Sequence, residues 1–230
     1  MSLHLHGIVR ANHRLPAGSP FRLVEVEDLA VVVSDRRDDR ALTEQEATAA
    51  LAGLCALVPG GPVLPLRIGT TAVDETSART AALALGVAAL RDHLTRLDGV
   101  AEMHVRLMFD EDVALRAVYD DLALTGNADM ATVIAQGEQI ARKIVAWRRT
   151  LADTLLAPVS AVASSVALLD PPEHTEEHRA FLVPLDQVEA VRGAVAALGG
   201  VTAICTGPLP AFHFLELSPH DSPPASRWGW

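Results

Sequence analysis

The run VAEMHVRLMFD, residues 100–110, constrains the fold more than any other stretch of the chain. Side chains alternate along a strand, so Ala101, Met103, Val105, Leu107 and Phe109 fall on one side, and Glu102, His104 and Arg106 on the other. A strand of this kind buries one face. It calls for a sheet of antiparallel type with other elements laid over the apolar side.

The flanking sequence supplies both. LHLHGIVR reads as a strand from Leu3 to Val9, and FRLVEVEDLAVVVSD as two more, split at Glu27 and Asp28. ALTEQEATAALAGLCALVPGG opens with Thr43 and Glu46 at capping-box spacing and stops at Pro59-Gly60-Gly61, which predicts a helix between them. In VLPLRIGT, residues 63–70, Leu64, Leu66 and Ile68 would point inward, with Pro65 and Arg67 outward. A proline cannot donate to a ladder, so this fourth strand belongs at an edge. Leu83, Val87, Leu90, Leu94 and Leu97 form one apolar seam on a helix over 76–97.

Past residue 109, Asp110, Glu111 and Asp112 stand where a helix would begin, running to Leu124 before Gly126. A long helix follows, with Val133, Ile140, Ile144, Trp147, Leu151 and Leu155 on its seam and Pro158 as its stop. The remainder reads as strand (SAVASSVALL), polar connection (DPPEHTEEH), strand (RAFLVPL), helix (DQVEAVRGAVAALGG) and strand (VTAICTG). The expected fold class is α+β with two domains, each a mostly antiparallel sheet covered by helices. Residues 1–109 form the first; 110–217 form the second, helices followed by a ferredoxin-like sheet; 218–230 are a Pro/Ser-rich tail.

Composition excludes several classes of function. Half the residues are apolar but aromatics are 4%, so the core is built from Ala, Val and Leu. A net charge of −10 argues against nucleic acid, whose binding needs clustered cations. The basic group Arg142, Lys143, Arg148 and Arg149 reads as a solvated helix face. Cys55 and Cys205 lie far apart in apolar segments, as reduced buried thiols do, which suits a cytoplasmic compartment. The N-terminus lacks the signal-peptide pattern, and the longest uncharged apolar run, TLLAPVSAVASSVALL, holds a proline and falls short of the ~20 residues of a membrane span. These features predict a soluble protein without a membrane partner.

Catalytic signatures are few. No G-x-S-x-G, P-loop or G-x-G-x-x-G occurs, and neither cysteine has a local activating partner. His174, Glu177 and His178 match H-x-x-E-H, in which a helix brings two imidazoles and a general base to one zinc ion. That match supports, as an alternative function, a metal-dependent hydrolase. His4 and His6 share a strand face and would make half a metal site, with no third ligand identifiable. A third class, a small-ligand regulatory module, rests on the ferredoxin-like pattern alone. The expectation is a non-enzyme without cofactor or metal.

A second motif then meets the first edge strand. In TGPLPAFHFLEL, residues 206–217, Gly207 permits a turn, Pro208 and Pro210 stiffen the chain, and Phe212 and Phe214 present apolar groups in alternate directions. With LHGIVR, LAVVVSD, VLPLRIGT and RAFLVPLDQVEAVRGAV, in that order along nearly the whole chain, it resembles the gas vesicle protein F/L family (GvpF/GvpL). The resemblance implies an accessory or minor structural protein in forming gas vesicles, with a two-domain α+β fold and no catalytic residues. The implied partners are the hydrophobic shell protein and other gas vesicle accessory proteins, and the implied location is cytoplasmic, at the vesicle. An accessory protein could shield apolar shell subunits with a strand edge or an apolar patch. On this expectation Pro65, Arg67, Gly207, Pro208, Pro210, Phe212 and Phe214 are the contact residues, with Arg67 also anchoring the domain interface or a neighbouring loop and Trp228 and Trp230 adding tail contacts.

Overall fold

The computed structural model describes residues 2–36, 42–119, 130–171 and 176–215. Contacts divide the chain into two compact units, Met1–Glu102 with Gly207–Trp230, and Met103–Thr206.

The first unit is built on strands β1 (Leu3–Arg10), β2 (Arg22–Val26), β3 (Leu29–Asp35), β4 (Leu64–Pro65) and β5 (Thr71–Ala72). The sheet order is β2-β3-β1-β4, with β5 also on β1, and every pairing is antiparallel. Helix α1 (Glu44–Leu57) starts at the expected capping box, the Thr43 side chain receiving Glu46 N–H while the Glu46 carboxylate receives Thr43 N–H. Its Leu54 and Leu57 pack with Val9, Phe21, Ala30, Val32 and Val63 on one face of the sheet. On the other face Leu5, Ile8, Val31 and Leu66 meet Ala78, Ala82 and Leu85. Both faces are therefore covered, which is why LAVVV in β3 is apolar without alternation.

Two expectations for this unit are corrected. The seam over 76–97 is two helices, α2 (Glu75–Ala84) and α3 (Val87–Arg96), separated at Gly86, whose φ of 84° is left-handed. Leu83 is consequently exposed. The fourth strand does lie at the sheet edge, but it pairs for two residues only, so its period does not persist: Pro65 is buried and Ile68 is 45% exposed. Close approach of β4 to β1 requires Gly7, where a Cβ would stand 2.9 Å from the Leu64 carbonyl oxygen.

A bulge in β1 between Leu5 and Gly7 turns His6 onto Phe21, with ring centroids 4.6 Å apart, and its Nε2 bonds Ser34 Oγ at 2.8 Å. Burial, aided by the charge of His4, lowers the His6 pKa from 6.5 to about 4. The unfolded chain then binds a proton that the folded chain refuses, so stability falls as pH drops from 6.5 towards 4 and is flat above that window. Denaturant titrations of His6→Gln are expected to lose this slope, which approaches about 1.4 kcal/mol per pH unit in the wild type.

The second unit carries the sheet β7-β8-β6-β9, with β6 Val100–Met108, β7 Ser165–Leu169, β8 Glu176–Pro184 and β9 Thr202–Leu209. The alternation of 101–109 holds except at Glu102: Met103, Val105 and Leu107 are fully buried and pack with Phe181, Val183 and Val195. Helices α4 (Glu111–Tyr119), α5 (Met130–Leu155), α6 (Ala157–Val162) and α7 (Val188–Ala196), with short 3-10 turns at Val58–Gly60 and Leu185–Gln187, complete the described elements. Asp110 caps α4 by accepting Val113 N–H at 3.0 Å, so the acidic triplet is a helix start. Pro158 stands in the first turn of α6, where a missing N–H costs nothing, and SAVASSVALL is helix before it is strand. The architecture is α+β, two sheets with helices. No helix among the described residues is long and apolar enough to cross a membrane.

Candidate functional site

The segment after Thr206 is held to the first unit by polar ties. β9 ends at Leu209, and Phe212 N–H turns back onto the Pro210 carbonyl at 2.8 Å. Pro210 and Ala211 are buried, while Phe212 and Phe214 are half-buried. A turn thus replaces the expected alternation of the two phenylalanines. Both oxygens of Glu102 receive His213, Oε2 from its backbone N–H at 2.9 Å and Oε1 from Nδ1 at 2.6 Å. Arg96 adds a bond from Nη2 to the Phe214 carbonyl at 3.1 Å and touches His93 Nδ1. Glu102 is completely buried although its place in the alternation assigns it to the polar face. Nothing in the local pattern marks it. Its partner lies 111 residues away.

The VLPLRIGT motif attaches elsewhere. Leu66 N–H bonds the His6 carbonyl at 2.9 Å, on β1. Arg67 is exposed; its carbonyl accepts Thr70 N–H in a turn, and its guanidinium ties down nothing among the described residues. Pro65 is a buried edge residue, Gly207 adopts φ 140°, and Pro208 lies within β9. Trp228 and Trp230 lie outside the described residues, as do the tail from 218 on and His174.

The hydrolase reading is corrected. Residues 176–184 are a strand, so Glu177 and His178 point to opposite faces, where the motif needs a helix. Glu177 is buried, with Oε2 on Arg148 Nε at 2.9 Å and Oε1 on Arg179 at 3.0 and 3.1 Å. Arg179 extends to Asp153 at 2.6 Å. His178 lies edge-on to His104, with centroids 5.1 Å apart. Both oxygens of this carboxylate are thus taken up by guanidinium donors. The same contact overturns the reading of Arg148 as part of a solvated face: it is 5% exposed, whereas Arg142 is exposed beside Glu138.

A cavity of about 330 Å³ opens between Arg10, Asn12, Asp28, Leu29, Arg91 and Leu94. Its arginines are engaged, Arg10 by Asp98 at 2.8 Å and Arg91 by both oxygens of Asp28 at 2.6 and 2.8 Å. The Arg91 guanidinium accordingly holds the Asp28 carboxyl below its usual range. Burial raises the thiols of Cys55 and Cys205 and keeps both protonated.

Fold and side-chain ties describe a two-sheet α+β protein in which the buried Glu102, Arg148, Glu177 and Arg179 serve internal bonds. The family model for "Gas vesicle synthesis protein GvpL/GvpF" matches residues 3–216, and the chain belongs to that family, among the proteins of gas vesicle formation. It is 26% identical over 241 residues to Gas vesicle protein F of Streptomyces sp. (strain CB03234), covering 94% of this chain and all of that one. Crystal structures of GvpF share the fold at 18% identity: that from Microcystis aeruginosa has a TM-score of 0.75 (94% of this chain, 99% of that one). That from Anabaena sp. PCC7120 has 0.77 (94% and 97%).

Proposed function

We propose that this chain is a non-catalytic assembly protein of gas vesicles, working in the cytoplasm by binding the hydrophobic shell protein and other assembly proteins. The observation that carries this reading is the match of family and fold over almost the whole chain. Side chains support it: Glu102 and Glu177 are buried in internal bonds, whereas Met130, Val133, Ile134 and Leu168 are aliphatic and more than half exposed. Exposed apolar groups of this kind suit an apolar partner.

The test is co-purification of the tagged full-length chain with the co-expressed major shell protein, beside a version ending at Ser218. Retention of shell protein by the full-length chain is expected. Loss on truncation would assign part of the contact to Trp228 and Trp230. Failure of both versions to retain it would sink the shell-binding reading and turn the search to the other accessory proteins.

A further inference from the structure

Glu102, His104 and His213 bring one carboxylate and two imidazoles together, with one ligand atom from each lying within 4.8 Å of the others. Glu102 and His104 are next-but-one neighbours on the unbroken strand β6, so the pleat itself aims both at one face. His213 belongs to the segment after β9 and is fastened to that carboxylate twice, by its backbone N–H and by Nδ1. Glu102 is completely buried, His104 is half-buried and the His213 side chain is 39% exposed, so solvent reaches the group on its imidazole side. The His4 and His6 pair is less suited to an ion, its ring centroids standing 6.3 Å apart and His6 Nε2 being held by Ser34 Oγ.

We infer that Glu102, His104 and His213 form a binding site for a divalent transition-metal ion of the zinc type, which fastens the segment 207–215 to β6. The donor set selects the metal: imidazole suits zinc and its neighbours, whereas calcium and magnesium take about six oxygen ligands and a single residue of the three offers oxygen. Two imidazoles and a carboxylate are a zinc-binding combination, with water in the fourth position. A proton now bridges Glu102 Oε1 and His213 Nδ1 across 2.6 Å. An ion in its place would stand about 2.0 to 2.2 Å from each donor and part the two atoms to roughly 3.3 Å, a displacement under about 1 Å. A fully buried carboxylate also gains more from a dication than from a neutral imidazole, since its lost hydration is replaced by a full opposite charge.

The experiment is calorimetric titration of the untagged, chelator-treated full-length chain with zinc ion. One ion per chain is expected, with affinity falling at least about ten-fold in His104→Ala and in His213→Ala and unchanged in His4→Ala. His104→Cys guards against variants that merely unfold: loaded with cobalt(II), it should keep the stoichiometry and gain a sulfur-to-metal charge-transfer absorption that the wild type lacks, because thiolate is itself a ligand for such ions. In the wild type, zinc should raise the melting temperature and slow proteolytic cleavage between 207 and 215. A wild type that takes up no zinc, binding that survives both alanine substitutions, binding lost in His4→Ala, or a His104→Cys variant without the new absorption each overturns the site. Zinc that binds without slowing that cleavage overturns its role in fastening the segment.

Discussion

Glu177→Ala should destabilise the protein by about 3 to 5 kcal/mol, the cost of breaking a buried ion pair by removing one partner. For a chain of this size that corresponds to a fall in melting temperature of roughly 6 to 20 °C. Glu177, Arg148 and Arg179 have side chains 5%, 6% and 6% exposed, so the alanine leaves two guanidiniums facing each other in a dry interior. Asp153 touches the same Arg179 but is 69% exposed, and Asp153→Ala should cost under about 1 kcal/mol because water replaces it. Calorimetry on the two variants checks the contrast. Equal losses would mean that the network is wetter than its burial indicates. A large Glu177 effect without any change in metal content also separates this carboxylate from zinc chemistry.

His213→Ala should cost about 2 to 3 kcal/mol, more than its half-exposed position suggests. The imidazole is 39% exposed, but the carboxylate it serves is fully buried, and truncation takes the Nδ1 bond from Glu102 Oε1. Glu102→Gln should cost less, about 1 kcal/mol, because a neutral amide needs less compensation in the same place. Denaturant unfolding measures both. Limited proteolysis adds a local readout: cleavage between 207 and 215 should quicken in His213→Ala before global unfolding does. If Glu102→Gln proves the more damaging, His213 is a passive neighbour and the segment is held by its prolines and Arg96.

The strand at 101–109, the hairpin turn at Glu27-Asp28 and the capping box at Thr43 were all legible locally, because each is written within a few residues. Where local period was extrapolated, it failed for identifiable reasons. Ile68 reads as a core residue in an alternating strand, yet β4 stops pairing at Pro65. The 76–97 seam reads as one helix, yet Gly86 divides it. Arg148 sits among basic neighbours and reads as solvated until β8 brings Glu177 against it across 29 residues.

The candidate site was less legible than the fold. The motif at 206–214 stood out by its glycine and prolines, but its bonds to Glu102 and Arg96 connect residues more than a hundred positions apart. No spacing rule reaches that far. The edge position of β7 was hidden differently, since SVALL looks like any interior strand until its place in the sheet order is known.

By itself the sequence determined the α+β class, most strand and helix locations and, through motif order along the chain, the family. These depend on short-range rules of alternation, capping and turn chemistry, which act between neighbours. The tertiary structure alone decided which charges are buried, which sheet receives β6, and which strands stand at an edge. Those outcomes depend on pairing and desolvation between distant segments, and a carboxylate such as Glu102 or Glu177 is indistinguishable from a solvated one until its partner arrives.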